Sequence, residues 1–92
     1  MNAENQERLN TIKKAADLYI IDVQKMIDKI EKKKSTKEER LDVYDSKIEL
    51  TDKQEEIRDQ LESEIDEMDD DLSNLEEVLS ALDELSTAIL LI

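Results

Sequence analysis

Hydrophobic residues recur along this chain at alternating spacings of three and four, the signature of helices that bury one stripe. In the first third the stripe is Leu9, Ile12, Ala16, Tyr19, Val23, Met26 and Ile30. It predicts a helix over about 7–34 with a heptad-like seam. Leu18, Ile20, Ile21 and Ile27 widen the apolar face, which implies two neighbours rather than one. Lys32, Lys33 and Lys34 end the segment, where positive charge suits the helix dipole.

The stripe then lapses between Ile30 and Leu41. Ser35-Thr36-Lys37-Glu38 falls in that gap and reads as a capping box, with Ser35 at the N-cap and Glu38 three residues on. A corner is expected here. Leu41, Tyr44 and Ile48 form a short second stripe, giving a helix over about 36–50. Thr51 and Gln54 offer another start signal, and a third helix is expected over about 52–90. The alternative is that the last two helices are continuous, because a phase shift near Glu55 and Arg58 is also what a stutter in one helix produces. The cleanest pattern lies in this last segment: Leu61, Ile65, Met68, Leu72, Leu75, Leu79 and Leu82, extended by Val78, Leu85, Ala88 and Ile89.

Composition strengthens the helical assignment. There is no Gly and no Pro, the residues that punctuate turns and end helices. The fold class is all-α: an antiparallel helical hairpin or a small three-helix bundle with coiled-coil-like packing and a long last helix. Residues 1–92 are expected to form a single helical domain. In the hairpin version one short helix faces a very long one, and the uncovered Ile65–Leu82 seam then serves for dimerisation. Aromatic side chains number two, Tyr19 and Tyr44. Both are expected to pack in the core, with Tyr44 also a candidate anchor for a partner.

Charge changes the picture most. The net charge is −13, and it is unevenly placed. Residues 1–34 carry eight basic and six acidic side chains, whereas residues 59–92 carry twelve acids and no Lys or Arg. On the last helix Glu56, Asp59, Glu62, Asp66, Asp69, Asp70 and Glu76 follow one another at helical spacing. They predict a negative stripe beside the apolar seam, suited to a basic partner. The apolar candidates for the same contact are Tyr44, Leu72, Leu75, Leu79, Leu82, Leu85 and Ile89.

Candidate chemistry is sparse. Without His or Cys the chain lacks the commonest general base, the commonest nucleophile and the usual transition-metal ligands. Without Gly it has no phosphate-cradling loop and no EF-hand turn. Asp66, Glu67, Asp69, Asp70 and Asp71 diverge around a straight helix instead of converging on one ion. No catalytic, cofactor or metal site is expected. The longest apolar run, Ala88 to Ile92, is far short of the ~20 residues that span a bilayer.

These features point to a non-catalytic acidic protein, cytoplasmic or secreted without a leader, that binds another protein as an adaptor, chaperone-like factor or inhibitor. The partner is expected to present a basic surface, in a homodimer or hetero-complex, with no direct nucleic-acid binding. The alternatives are a self-assembling coiled-coil scaffold and a mimic of nucleic acid that blocks a basic groove.

Overall fold

A computed structural model describes all 92 residues. It contains two helices, α1 (Ala3–Asp45, 43 residues) and α2 (Asp52–Leu90, 39 residues), packed antiparallel. The three-helix arrangement does not occur; the antiparallel helical hairpin does, with helices of nearly equal length in place of one short and one very long. The predicted corner at Ser35 is absent, and α1 runs through it. Thr36 uses its hydroxyl to bond the Lys32 carbonyl one turn back, at 3.1 Å, which keeps it inside the helix instead of capping a new one.

The chain reverses further on, at 46–51. Ser46 closes the last turn of α1 through its amide to Asp42 and its hydroxyl to the Val43 carbonyl. Helix α2 then opens on the second start signal. The Gln54 amide donates to Thr51 Oγ1 at 3.2 Å, and the Thr51 amide donates to Gln54 Oε1 at 3.1 Å. This reciprocal pair is a complete capping box. Helix α1 starts similarly, with the Asn5 amide donating to Asn2 Oδ1 at 2.8 Å, four residues before the predicted start.

Burial follows a heptad on both helices, with Ala15, Asp17, Ile57 and Glu64 half-buried at its edges. On α1 the inward positions are Gln6, Lys13, Ile20, Ile27, Lys34 and Leu41 (position a) and Leu9, Ala16, Val23, Ile30, Lys37 and Tyr44 (position d). On α2 they are Arg58, Ile65, Leu72, Leu79 and Ser86 (a) and Gln54, Leu61, Met68, Leu75, Leu82 and Ile89 (d). The α2 seam is the predicted one, lengthened at both ends. The α1 seam differs. Leu9, Ala16, Val23 and Ile30 face inward as expected, but Ile12, Tyr19 and Met26 are 46%, 59% and 51% exposed. Ile20 and Ile27 fill the intervening places. Because α1 does not break at Ser35, its seam must stay in phase as far as Tyr44. The row of Ile20 and Ile27 leads to Leu41; the row of Tyr19 and Met26 leads to Arg40.

The chain divides into two compact units. Unit 1 holds Met1–Ile27 and Asn74–Ile92; unit 2 holds Asp28–Ser73. In unit 1 the buried side chains are Ala16, Val23 and Ile89, and Ser86 Oγ donates to Asp17 Oδ1 across the seam at 2.7 Å. In unit 2 they are Leu61 and Ile65. There the helices are tied by two ion pairs, Lys34–Asp69 and Lys37–Glu64.

Candidate functional site: an acidic flank on unit 2

Heptad geometry assigns every exposed position of a packed helix pair to a flank. In an antiparallel pair the e positions of both helices share one flank and the g positions share the other, with b beyond e and c beyond g. Two contacts fix this assignment in unit 2. Lys34, at a, pairs both with Glu38 at e of its own helix, 3.5 Å away, and with Asp69 at e of α2. Lys37, at d, pairs with Glu64 at g of α2.

The predicted acidic stripe lies on the first of these flanks. Asp59 and Asp66 stand at b, and Glu62 and Asp69 at e; all are exposed. Glu56 and Asp70, at f, border the row. Glu76 is also exposed at e but belongs to unit 1. Reading the sequence helix by helix misses the other half of the surface. Helix α1 contributes Asp28, Glu31, Glu38, Asp42 and Asp45 to the same flank. Together with Asp52 and Glu55, the e and b positions of unit 2 hold only Asp, Glu and two serines, Ser35 and Ser73. The signal was present in the α1 sequence, but it shows only once the heptad phase is known.

Basic residues of unit 2 stand elsewhere. Lys29, Lys33, Arg40 and Lys53 occupy c or g on the opposite flank, Lys34, Lys37 and Arg58 lie in the seam, Lys47 stands in the turn, and Lys32 alone borders the acidic row, at f. Lys34 is the only cation paired with the acidic flank apart from Arg58, whose Nη2 approaches Asp59 at 3.5 Å. The Arg58 Nε is buried with no hydrogen-bond partner. The hydrogen bond to Asp69 holds the Lys34 ammonium above the usual lysine range. On the other flank the Lys37 hydrogen bond, helped by one from Gln60, holds Glu64 below the usual carboxylate range. In unit 1, hydrogen bonds from Lys13 and Ser86 do the same for Asp17.

The apolar candidates divide differently. Leu72, Leu75, Leu79, Leu82 and Ile89 face α1 in the seam, so α1 covers the surface that an unpaired α2 would offer. Tyr44 is half-buried at the end of the same seam, with the Lys47 ammonium 4.9 Å from its ring centre. Leu85 stands outside the seam, 43% exposed. No cluster of three or more acidic side chains has the geometry to hold a metal ion. A depression of about 220 Å³ lies among Lys37, Arg40, Ile57, Gln60, Leu61 and Glu64. No helix is long and apolar enough to cross a membrane.

These features define an acidic all-α protein of coiled-coil-like packing. No protein-family model matches the chain, and neither curated proteins nor solved structures gave a match.

Proposed function

We propose that this is a non-catalytic binding protein, an adaptor, chaperone-like factor or inhibitor, whose acidic flank on unit 2 docks a basic surface of another protein. One observation carries the reading: every e and b position of unit 2 is Asp, Glu or Ser, on both helices. A solvated coiled-coil face ordinarily mixes charges, because e positions of opposite sign add pairing energy and like charges oppose it. Here a whole flank forgoes that gain. The concentrated field accelerates association with a basic partner and rejects acidic ones. The want of His and Cys argues in the same direction for a binding role over a catalytic one.

The test compares three forms of the full chain as bait. One is wild type. One carries Glu31→Gln, Glu38→Gln, Asp59→Asn, Glu62→Gln and Asp66→Asn. The third carries five neutralised carboxylates off the flank. Partners held by the wild type and the third form, released by added salt and lost from the flank variant, support the reading. Equal capture by all three sinks it.

A second reading, mimicry of nucleic acid, draws support from the paired rows. Eleven carboxylates at e and b occupy roughly 33 Å of helix axis at 1.5 Å per residue. That is about one per 3 Å, against one per about 1.7 Å in a duplex. A mimic would displace duplex DNA from its basic partner, whereas an adaptor would bind alongside it.

A further inference from the structure

We propose that the g/c flank of unit 1 is the contact through which a second copy of this chain docks, forming a four-helix bundle. The proposal is independent of the acidic flank, which lies on the other unit.

The observation is a second seam. In unit 1 the outward g positions are Ile12, Tyr19 and Met26 on α1 and Val78 and Leu85 on α2, all between 43% and 59% exposed. Antiparallel pairing puts both sets on one flank. Beside them, at c, stand the small residues Ala15, Ala81 and Ala88. Arg8, Asp22 and Asn74 hold the remaining c positions, so the large side chains at g have small neighbours at Ala15 on α1 and at Ala81 and Ala88 on α2. A helix with two apolar seams is built to pack on two sides. The pattern stops at the edge of unit 1. In unit 2 the g positions are Lys33 and Arg40 on α1 and Ile57, Glu64 and Asp71 on α2, so only Ile57 is apolar.

Three features favour a second copy as the occupant. The first is area. The chain exposes 7019 Å², while a compact monomer of 10.7 kDa exposes about 5,500 Å². A standard interface takes about 800 Å² from each partner, so one such contact removes about half of this excess of roughly 1,500 Å². The second is charge. A chain at −13 repels its copy over most of its surface, and unit 2 carries nine basic against eighteen acidic residues. In unit 1, the acids of α2 (Glu76, Glu77, Asp83 and Glu84) occupy e and f. The g/c flank is clear of them and holds one charge of each sign, Arg8 and Asp22, both at c of α1, so two copies can meet there with little like charge opposed. The third is shape. A two-fold contact must be self-complementary, and a face bearing both large and small positions can set its own protrusions over its own hollows.

The test is sedimentation equilibrium of the full chain from micromolar to several hundred micromolar. The wild type is expected at twice its 10.7 kDa mass. The variant Ala81→Arg/Ala88→Arg is expected at the monomer mass, with its dissociation constant raised at least tenfold. Both alanines are exposed and Arg is nearly as good a helix former as Ala, so unchanged helicity by circular dichroism separates lost docking from lost folding. Leu18→Arg, at an exposed f position on the same helix pair, should leave the dimer intact. A wild type that remains monomeric throughout overturns the proposal and leaves the flank to a different chain. A dimer indifferent to the alanine substitutions, or one disrupted equally by Leu18→Arg, overturns it as well.

Discussion

Lys34 on α1 pairs with Asp69 on α2, and in doing so ties the two helices at a place where the hydrophobic pattern fails. Lys34 is an inward position, as is Lys37, which pairs with Glu64. Two consecutive seam positions are thus lysines whose stems lie along the interface while their ammoniums reach carboxylates at its edges. Such pairs contribute less to stability than apolar side chains would, and their clearest use is to specify alignment. Sliding one helix by a heptad would separate both lysines from their partners.

Reversing one pair should expose this role. Lys34→Glu is expected to lower the thermal midpoint, and adding Asp69→Lys should restore part of the loss. Thermal melts of the two single variants and the double variant check it. Equal and additive losses would mean that the pair contributes nothing to alignment.

The continuity of α1 through Ser35 is open to a sharper test. If a helix started at Ser35, Thr36 would be its first residue, a site where proline is welcome. Inside a continuous helix proline removes a hydrogen bond and clashes with the preceding turn. Thr36→Pro is therefore expected to destabilise the chain by about 3 kcal/mol or more. Asp52→Pro, at the true first position of α2, should change stability little. Urea denaturation of both variants measures the contrast.

The same contrast shows what the sequence allowed to be read. Ser35-Thr36-Lys37-Glu38 and Thr51-Asp52-Lys53-Gln54 carry equivalent capping signals, yet only the second is used. The apolar gap from Ile30 to Leu41 looked like a corner because Lys34 and Lys37 do not register as seam residues on a hydrophobicity scale. Expecting a break there also removed the need for one phase along α1. Tyr19 and Met26, expected in the seam, stand outward, and Ile20 and Ile27, expected only to widen it, fill it. One hidden pair of lysines accounts for both errors. The α2 seam, which carries Leu or another apolar residue at every place from Leu61 to Leu82, was legible throughout. Its acidic row was legible too, but the matching row on α1 was not, because flank membership depends on that phase.

The seam predicts where truncation hurts. Leu61 is 3% exposed and Leu18 is 63% exposed. Leu61→Ala is expected to lose about 2–4 kcal/mol, and Leu18→Ala to stay within about 0.5 kcal/mol of the wild type. Loss of the cap in Thr51→Ala should fall between them, near 1 kcal/mol. Chemical denaturation of the three variants gives the order.

Stability should also depend on pH in a direction set by the ties between helices. Asp17 and Glu64 have their carboxyls held below the ordinary range by hydrogen bonds to Lys13 and Ser86 and to Lys37 and Gln60. Their contribution is complete above the unfolded values, about 3.9 and 4.3. It fades as pH drops through the lower folded values. Lys34 behaves oppositely: its raised value keeps its contribution intact below about 10.4 and loses it at higher pH. Thermal melts of wild type and Glu64→Gln should therefore differ at pH 7 and converge near pH 2. A constant difference across that range would show that the Glu64 tie does not matter.

The connection at 46–51 has a further consequence. Its residues hold no positive backbone φ, and Ile48 stands wholly in solvent, so little in the turn dictates how the helices meet. That information lies in the two facing sides. Helix α1 carries ten basic and ten acidic residues, while α2 carries two and fifteen. Two separate peptides, cut in the turn, would thus be mismatched as homodimers on the α2 side and matched as a pair. Mixed in equal amounts they should reconstitute the folded protein, so the chain can serve as a split pair of tags whose reunion reports proximity.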